Sequence, residues 1–156
     1  MTLFLIGGRK GNVNSAREVE LKKLLETDNR FILDTSAILA YLHGEKGGEL
    51  LDLVWGASSI PFIAMSELYY VIWRKAGKAE ADRAFAIVKG WNLPIHTPDE
   101  RVILTSGRFK VLYRLGISDS YIAAFAFINR AVLITKDPDF KTLTEEIKIF
   151  HLNSYS

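Results

Sequence analysis

The residues best suited to chemistry in this 156-residue sequence are acidic, and they recur at one kind of place. Asp34 follows the apolar run Phe31-Ile32-Leu33, and Glu67 opens the helical stretch after residues 59–63. Asp119 opens an alanine-rich stretch, and Asp137 follows Val132-Leu133-Ile134-Thr135. Each has an ordinary structural use by itself: a helix cap, a first-turn charge, or a turn ahead of Pro138. Together they put carboxylates at strand ends and at the starts of the following helices. In a parallel sheet those positions share one edge, the edge where ligands bind. Two carboxylates about 5 Å apart repel by roughly 3 kcal/mol at an effective dielectric of 20, so several at one edge call for a cation. Oxygen-only donors suit Mg²⁺ or Mn²⁺. Such an ion can activate water, stabilise charge on a phosphodiester and orient the attacking and leaving oxygens.

Strands alternating with helices must position these acids. Residues 31–33, 59–63, 93–96, 132–135 and 146–152 are strand candidates, with Pro61 restricting the second to a strand end or sheet edge. Residues 65–75, 78–89 and 118–128 have helical spacing, and Pro98 opens a further helix with Thr97 as its cap. Short apolar strands between helices predict an α/β fold, a parallel sheet covered on both faces. Ahead of this pattern, residues 2–6 suggest a strand and residues 7–11 a loop. Ser15 and Glu18 have capping-box spacing before a helix ending near Asp28. The run Gly7-Gly8-Arg9-Lys10-Gly11 lacks the P-loop spacing of lysine and hydroxyl.

The length fits one domain, and 49% hydrophobic content can build its core without staples. There is no cysteine, which excludes disulfides, thiolate metal sites and cysteine nucleophiles and suits a reducing cytoplasm. No apolar run near the start approaches the ~20 residues of a membrane span, so neither an anchor nor a membrane partner is expected. The formal charge of +2 is too small to imply a polyanion partner by itself.

The pieces Phe31-Ile32-Leu33-Asp34-Thr35-Ser36, Ser66-Glu67-Leu68, Ser118-Asp119-Ser120-Tyr121-Ile122-Ala123-Ala124 and Leu133-Ile134-Thr135-Lys136-Asp137-Pro138-Asp139-Phe140 occur in that order. In them the sequence resembles the PIN-domain ribonucleases, particularly the VapC-like toxins of toxin–antitoxin pairs. The resemblance implies a three-layer αβα PIN-like fold with a central, mainly parallel sheet, and Mg²⁺- or Mn²⁺-dependent hydrolysis of RNA. By the same resemblance Asp34, Glu67, Asp119 and Asp137 match the family's acidic quartet. Asp139 matches a further acid, Ser36 a hydroxyl near the metal, and Thr135 a polar position. A cognate antitoxin would cover the acidic crevice with an arginine or lysine. Family members usually begin close to the first strand. Residues 1–29 therefore read as an N-terminal extension, expected to be dispensable for folding, and residues 30–156 as the PIN domain.

Arg108, Lys110 and Arg114, interleaved with Phe109 and Tyr113 and leading into Asp119, suit an RNA backbone. Arg74, seven residues after Glu67, falls on the same helical face. The aromatic stretch from Tyr69 to Trp73 suits a homodimer contact or an antitoxin groove. His43, His96 and His151 have no ligand spacing and read as structural. Two other readings share the element pattern: a receiver-like signalling domain phosphorylated on Asp34, and a catalytically inactive PIN-like module that only binds RNA or protein. A haloacid-dehalogenase-type phosphatase is disfavoured, because Ser36 stands where its second aspartate would be.

Overall fold

The strands are β1 (Phe31–Leu33), β2 (Ser58–Pro61), β3 (Ile95–His96), β4 (Val132–Thr135) and β5 (Ile149–His151). In this computed structural model, which describes residues 15–153, they form one sheet ordered β3-β2-β1-β4-β5. Every neighbouring pair is parallel. Alternation along the strands sends their side chains to two separate cores. Phe31, Leu33, Ile60, Val132, Ile134 and Phe150 face one layer. Ile32 and Leu133 face the other.

The first layer holds α1 (Ser15–Glu26), α2 (Thr35–Leu42), the short α3 (Leu51–Val54), α4 (Phe62–Ala76) and α5 (Lys78–Gly90). The second holds α6 (Glu100–Tyr113), α7 (Ile117–Ile128) and the 3₁₀ turns Pro138–Leu143. Ala123, Ala124 and Ala126 are buried in α7. Their small side chains let that helix lie close to the sheet. This is the three-layer αβα arrangement expected from the sequence. No single helix among the described residues is long and apolar enough to cross a membrane.

Two local features differ from the sequence reading. The strand expected over residues 59–63 ends at Pro61, and α4 starts at once with Phe62, so Glu67 sits in the second turn of its helix and not at its opening. Proline suits this place, since it ends the hydrogen-bonded ladder and presets the backbone at the helix entry. The cap of α6 is Asp99, whose carboxylate accepts from the Val102 N–H at 3.0 Å, and not Thr97.

In α1, Leu21 is completely buried in the same cluster as Phe31 and Phe150, and Arg17 lays its guanidinium 4.1 Å from the centre of the Phe150 ring. Burying one leucine stabilises the fold by roughly 1.5–3 kcal/mol. The helix thus contributes Leu21 to the core. The strand and loop expected over residues 2–11, and the capping contact of Ser15, lie outside the described residues.

Candidate metal centre

Each acid reaches the C-terminal edge of the sheet by a short, well-fixed route. Asp34 leaves β1 in extended backbone, its N–H still bonded to the Ile134 carbonyl at 3.0 Å, and then caps α2. Its carboxylate makes no helix-capping bond. Instead Oδ2 accepts from the Ser36 and Thr135 hydroxyls, both at 2.7 Å. Those hydroxyls in turn accept the N–H groups of Lys136 at 2.8 Å and Asp137 at 2.9 Å. Ser36 and Thr135 therefore tie the acid after β1 to the turn after β4.

Asp137 accepts the Asp139 N–H at 2.9 Å, which fixes the start of the 3₁₀ turns. Asp119 lies in the first turn of α7, where the helix dipole favours a negative charge. Glu67 comes across from α4, and its Oε1 accepts from Thr35 at 3.1 Å and, at closer range, from Ser118. Thr35 and Ser118 escaped the sequence reading. The available signal was a hydroxyl directly beside an acid in each motif, but nothing in the sequence says which acid a hydroxyl reaches.

Asp119, Asp137 and Asp139 each offer an oxygen within 4.8 Å of the others. Asp34, 4% exposed, and Glu67 are close enough for their charges to act on Asp119. Asp139, matched by the resemblance to a further acid beside the quartet, thus lies within the same range of Asp119 and Asp137 as they do of each other. Burial first, and then the charges of Asp34, Asp137, Glu67 and Asp139, push the Asp119 carboxyl up to about 7. Burial raises Asp34 as well, with a smaller contribution from Glu67, against the hydroxyl bonds from Thr135 and Ser36 that lower it. Lys136 carries the nearest ammonium in sequence, yet its Nζ is drawn away to Glu45 at 2.7 Å. Hard oxygen donors in such a cluster of negative charge fit a divalent cation such as Mg²⁺ or Mn²⁺.

The basic residues do not act as one group. Arg108 makes a bidentate pair with Glu146 at 2.8 and 3.2 Å and packs over Phe109 and Phe127. Phe127 is eight residues along α7 from Asp119, on the order of 12 Å along the axis. Arg108 is therefore committed to holding α6 on the segment before β5. Lys110 donates to the Leu115 carbonyl at 3.1 Å, and exposed Arg114 takes a left-handed conformation at the α6–α7 turn that delivers Asp119. Arg74 is exposed over the Tyr70 ring at 5.2 Å. His96 bonds Ser59 at 2.9 Å and stacks on Phe125, a structural use.

Residues 31–146 match the PIN domain, which starts at the first strand and takes in all of the acids above. The chain belongs to the PIN-domain family. Solved PIN-fold structures similar to it include VapBC-1 from nontypeable Haemophilus influenzae, with a TM-score of 0.64 and 21% identity over 80% of this chain and 98% of that one. DNA-bound VapBC from Salmonella typhimurium gives 0.63 and 22% identity over 80% and 99%. VapBC2 from Rickettsia felis, bound to a promoter DNA fragment, gives 0.64 and 18% over 78% and 97%. At such identities the likeness shows the PIN fold. No curated protein matches the sequence. The strand order 3-2-1-4-5 also differs from the 2-1-3-4-5 order of receiver domains, which removes the fold-level support for that reading.

Proposed function

We propose that this PIN domain is a divalent-metal-dependent endoribonuclease, the toxin of a toxin–antitoxin pair, acting in the cytoplasm. The observation that carries the reading is the convergence of Asp119, Asp137 and Asp139, whose oxygens come within 4.8 Å of one another at the ligand-binding edge of the sheet. Bound Mg²⁺ or Mn²⁺ would neutralise their charge and supply Lewis acidity toward a phosphodiester and its attacking water. Asp119, Asp137 and Asp139 would hold the ion, with Asp34 and Glu67 completing the acidic wall. Ser36 and Thr135 keep Asp34 oriented through its Oδ2. Lys110 and Arg114, at the turn leading to Asp119, are placed to meet RNA phosphates, with Arg74 on the α4 side.

Two apolar surfaces suit the expected protein partners. A groove of about 530 Å³ between α4 and α5 is lined by Phe62, Met65, Ser66, Tyr69, Asp82 and Phe85, and Ser66 adjoins Glu67. It suits an antitoxin segment whose basic end enters the acidic crevice. On α6, Ile103, Leu104, Val111 and Leu112 are 49–79% exposed. This stripe suits a second copy of the chain.

The test is cleavage of single-stranded and structured RNAs with Mg²⁺, with Mn²⁺ and with EDTA, alongside direct Mn²⁺ titration. Wild type is expected to cleave only with the ion, and Asp34→Asn and Asp119→Asn to lose both cleavage and most of the ion-induced stabilisation. Equal metal-induced shifts in Tm for wild type and both variants would sink the assignment. Ion binding without hydrolysis of any RNA would instead mark a binding module.

A further inference from the structure

We propose that Thr35 and Ser118 are positioning residues for Glu67, fixing which carboxylate oxygen faces the acidic edge; the proposal rests on the nuclease reading above. Hydroxyls in the first turn of a helix ordinarily bond their own backbone. These two do not. Thr35, at the start of α2, reaches 32 residues along the sequence to Glu67, and Ser118, at the start of α7, reaches back 51. Both end on the same atom, Oε1, from two different helices.

The double bond to one oxygen has a chemical consequence. Each hydroxyl has a single hydrogen and directs it at Oε1, so that oxygen serves as the acceptor and neither bond goes to Oε2. Glu67 needs such support more than the aspartates do. It has one more rotatable bond, and it enters from α4 across the crevice instead of from the strand ends. Its charge acts on both Asp34 and Asp119, which places it where a change of rotamer would redistribute the field at the centre. Asp34 is held by the same device, with Ser36 and Thr135 both on Oδ2. Adjacent hydroxyls of one turn, Thr35 and Ser36, thus serve acids on two different helices.

The experiment uses the full chain with Thr35→Val, Ser118→Ala and their combination, beside the hydroxyl-keeping controls Thr35→Ser and Ser118→Thr. Calorimetric Mn²⁺ titration is the primary readout, with Mg²⁺-supported cleavage of a mixed-sequence single-stranded RNA as the second. Loss of such supporting contacts typically costs 10–100-fold in metal affinity or activity. The expectation is therefore at least about tenfold weaker Mn²⁺ binding or lower kcat in Ser118→Ala, at unchanged KM, with restoration in Ser118→Thr. In a Glu67→Ala background the same change should have no further effect. An equal loss in that background, or wild-type behaviour of both Ser118→Ala and the combination, would overturn the positioning role. If Thr35→Val does not fold, Ser118→Ala decides alone. A wild type that binds no Mn²⁺ fails the nuclease reading itself, before any variant is compared.

Discussion

Thr135 and Asp34 are 101 residues apart in sequence and joined by a 2.7 Å hydrogen bond. The bond exists because β1 and β4 are parallel neighbours, which brings the ends of both strands together. The same hydroxyl accepts the Asp137 N–H at 2.9 Å, so one threonine aligns two acids. Thr135→Val keeps the shape and removes both bonds. It should destabilise the protein by roughly 1–3 kcal/mol, the cost of leaving buried polar groups unpaired. Thr135→Ser should recover most of this in urea denaturation.

The acidic edge makes stability depend on pH. The Asp119 carboxyl titrates near 7 in the fold against 3.8 as its ordinary value, so the folded protein binds the extra proton between them. Its contribution is complete below the lower value and is lost as pH rises through the upper one. Asp34 is shifted in the same direction. In EDTA, the Asp119 contribution should therefore be lost between about pH 4 and 7, so that Tm in Asp119→Asn falls less, or rises more, with pH than in wild type. Saturating Mn²⁺ should restore stability at pH 8, because the ion competes with the proton. Equal pH slopes of Tm in EDTA for wild type and Asp119→Asn would contradict this origin of the shift.

The basic residues separate experimentally. Lys110→Ala with Arg114→Ala should reduce the salt dependence of single-stranded RNA binding, by about 0.7 in log–log slope for each lost phosphate contact. Arg108→Ala should leave the slope unchanged and lower stability by about 1 kcal/mol or less, because its pair with Glu146 is partly exposed. Filter binding across a salt series distinguishes these outcomes.

Self-association should depend on α6. Leu104→Asp combined with Val111→Glu places charges at the two most exposed apolar positions of the stripe, 67% and 79% exposed. Sedimentation should show the variant as a monomer with an unchanged circular dichroism spectrum. A wild type that sediments as a monomer at high micromolar concentration would assign the stripe to some other partner.

Leu21→Ala should cost about 2–5 kcal/mol, as for a fully buried leucine. A chain starting at Asp28 should melt at a lower temperature than wild type, with greater exposure of apolar surface to dye. Equal Tm for the two chains would mean that the α1 contact contributes nothing net.

The α/β layering was legible from the sequence because the central strands β1 and β4 are short, fully buried and almost wholly apolar runs, as strands covered on both faces are. The strand-end acids were legible because motif order fixes where they fall along the sheet edge. Contacts across the crevice were not. Thr35 and Ser36 are adjacent and chemically alike, yet one serves Glu67 and the other Asp34, a division set by helix direction in three dimensions. Arg108 shows the same limit: its partner Glu146 is 38 residues downstream, and nothing local to α6 announces it. The burial of Leu21 in α1 was not legible for another reason. The helix's apolar side is narrow, with Leu21 the one fully buried side chain, so it gives little periodic signal despite its place in the core.

The acids that form the centre are strung along the chain from Asp34 to Asp139, and the trio with the closest oxygens comes entirely from the last third of that order. Ribosomes deliver roughly 5–20 residues per second from the N-terminus. While this chain is being made, Asp34 and Glu67 emerge ahead of Asp137, Asp139 and the β4–β5 pairing that supports them. A nascent chain therefore lacks the full set of acids until β4 and the turn after it have emerged. Under the nuclease reading, the order of the residues along the chain thus delays the assembly of the centre behind the emergence of the first two acids.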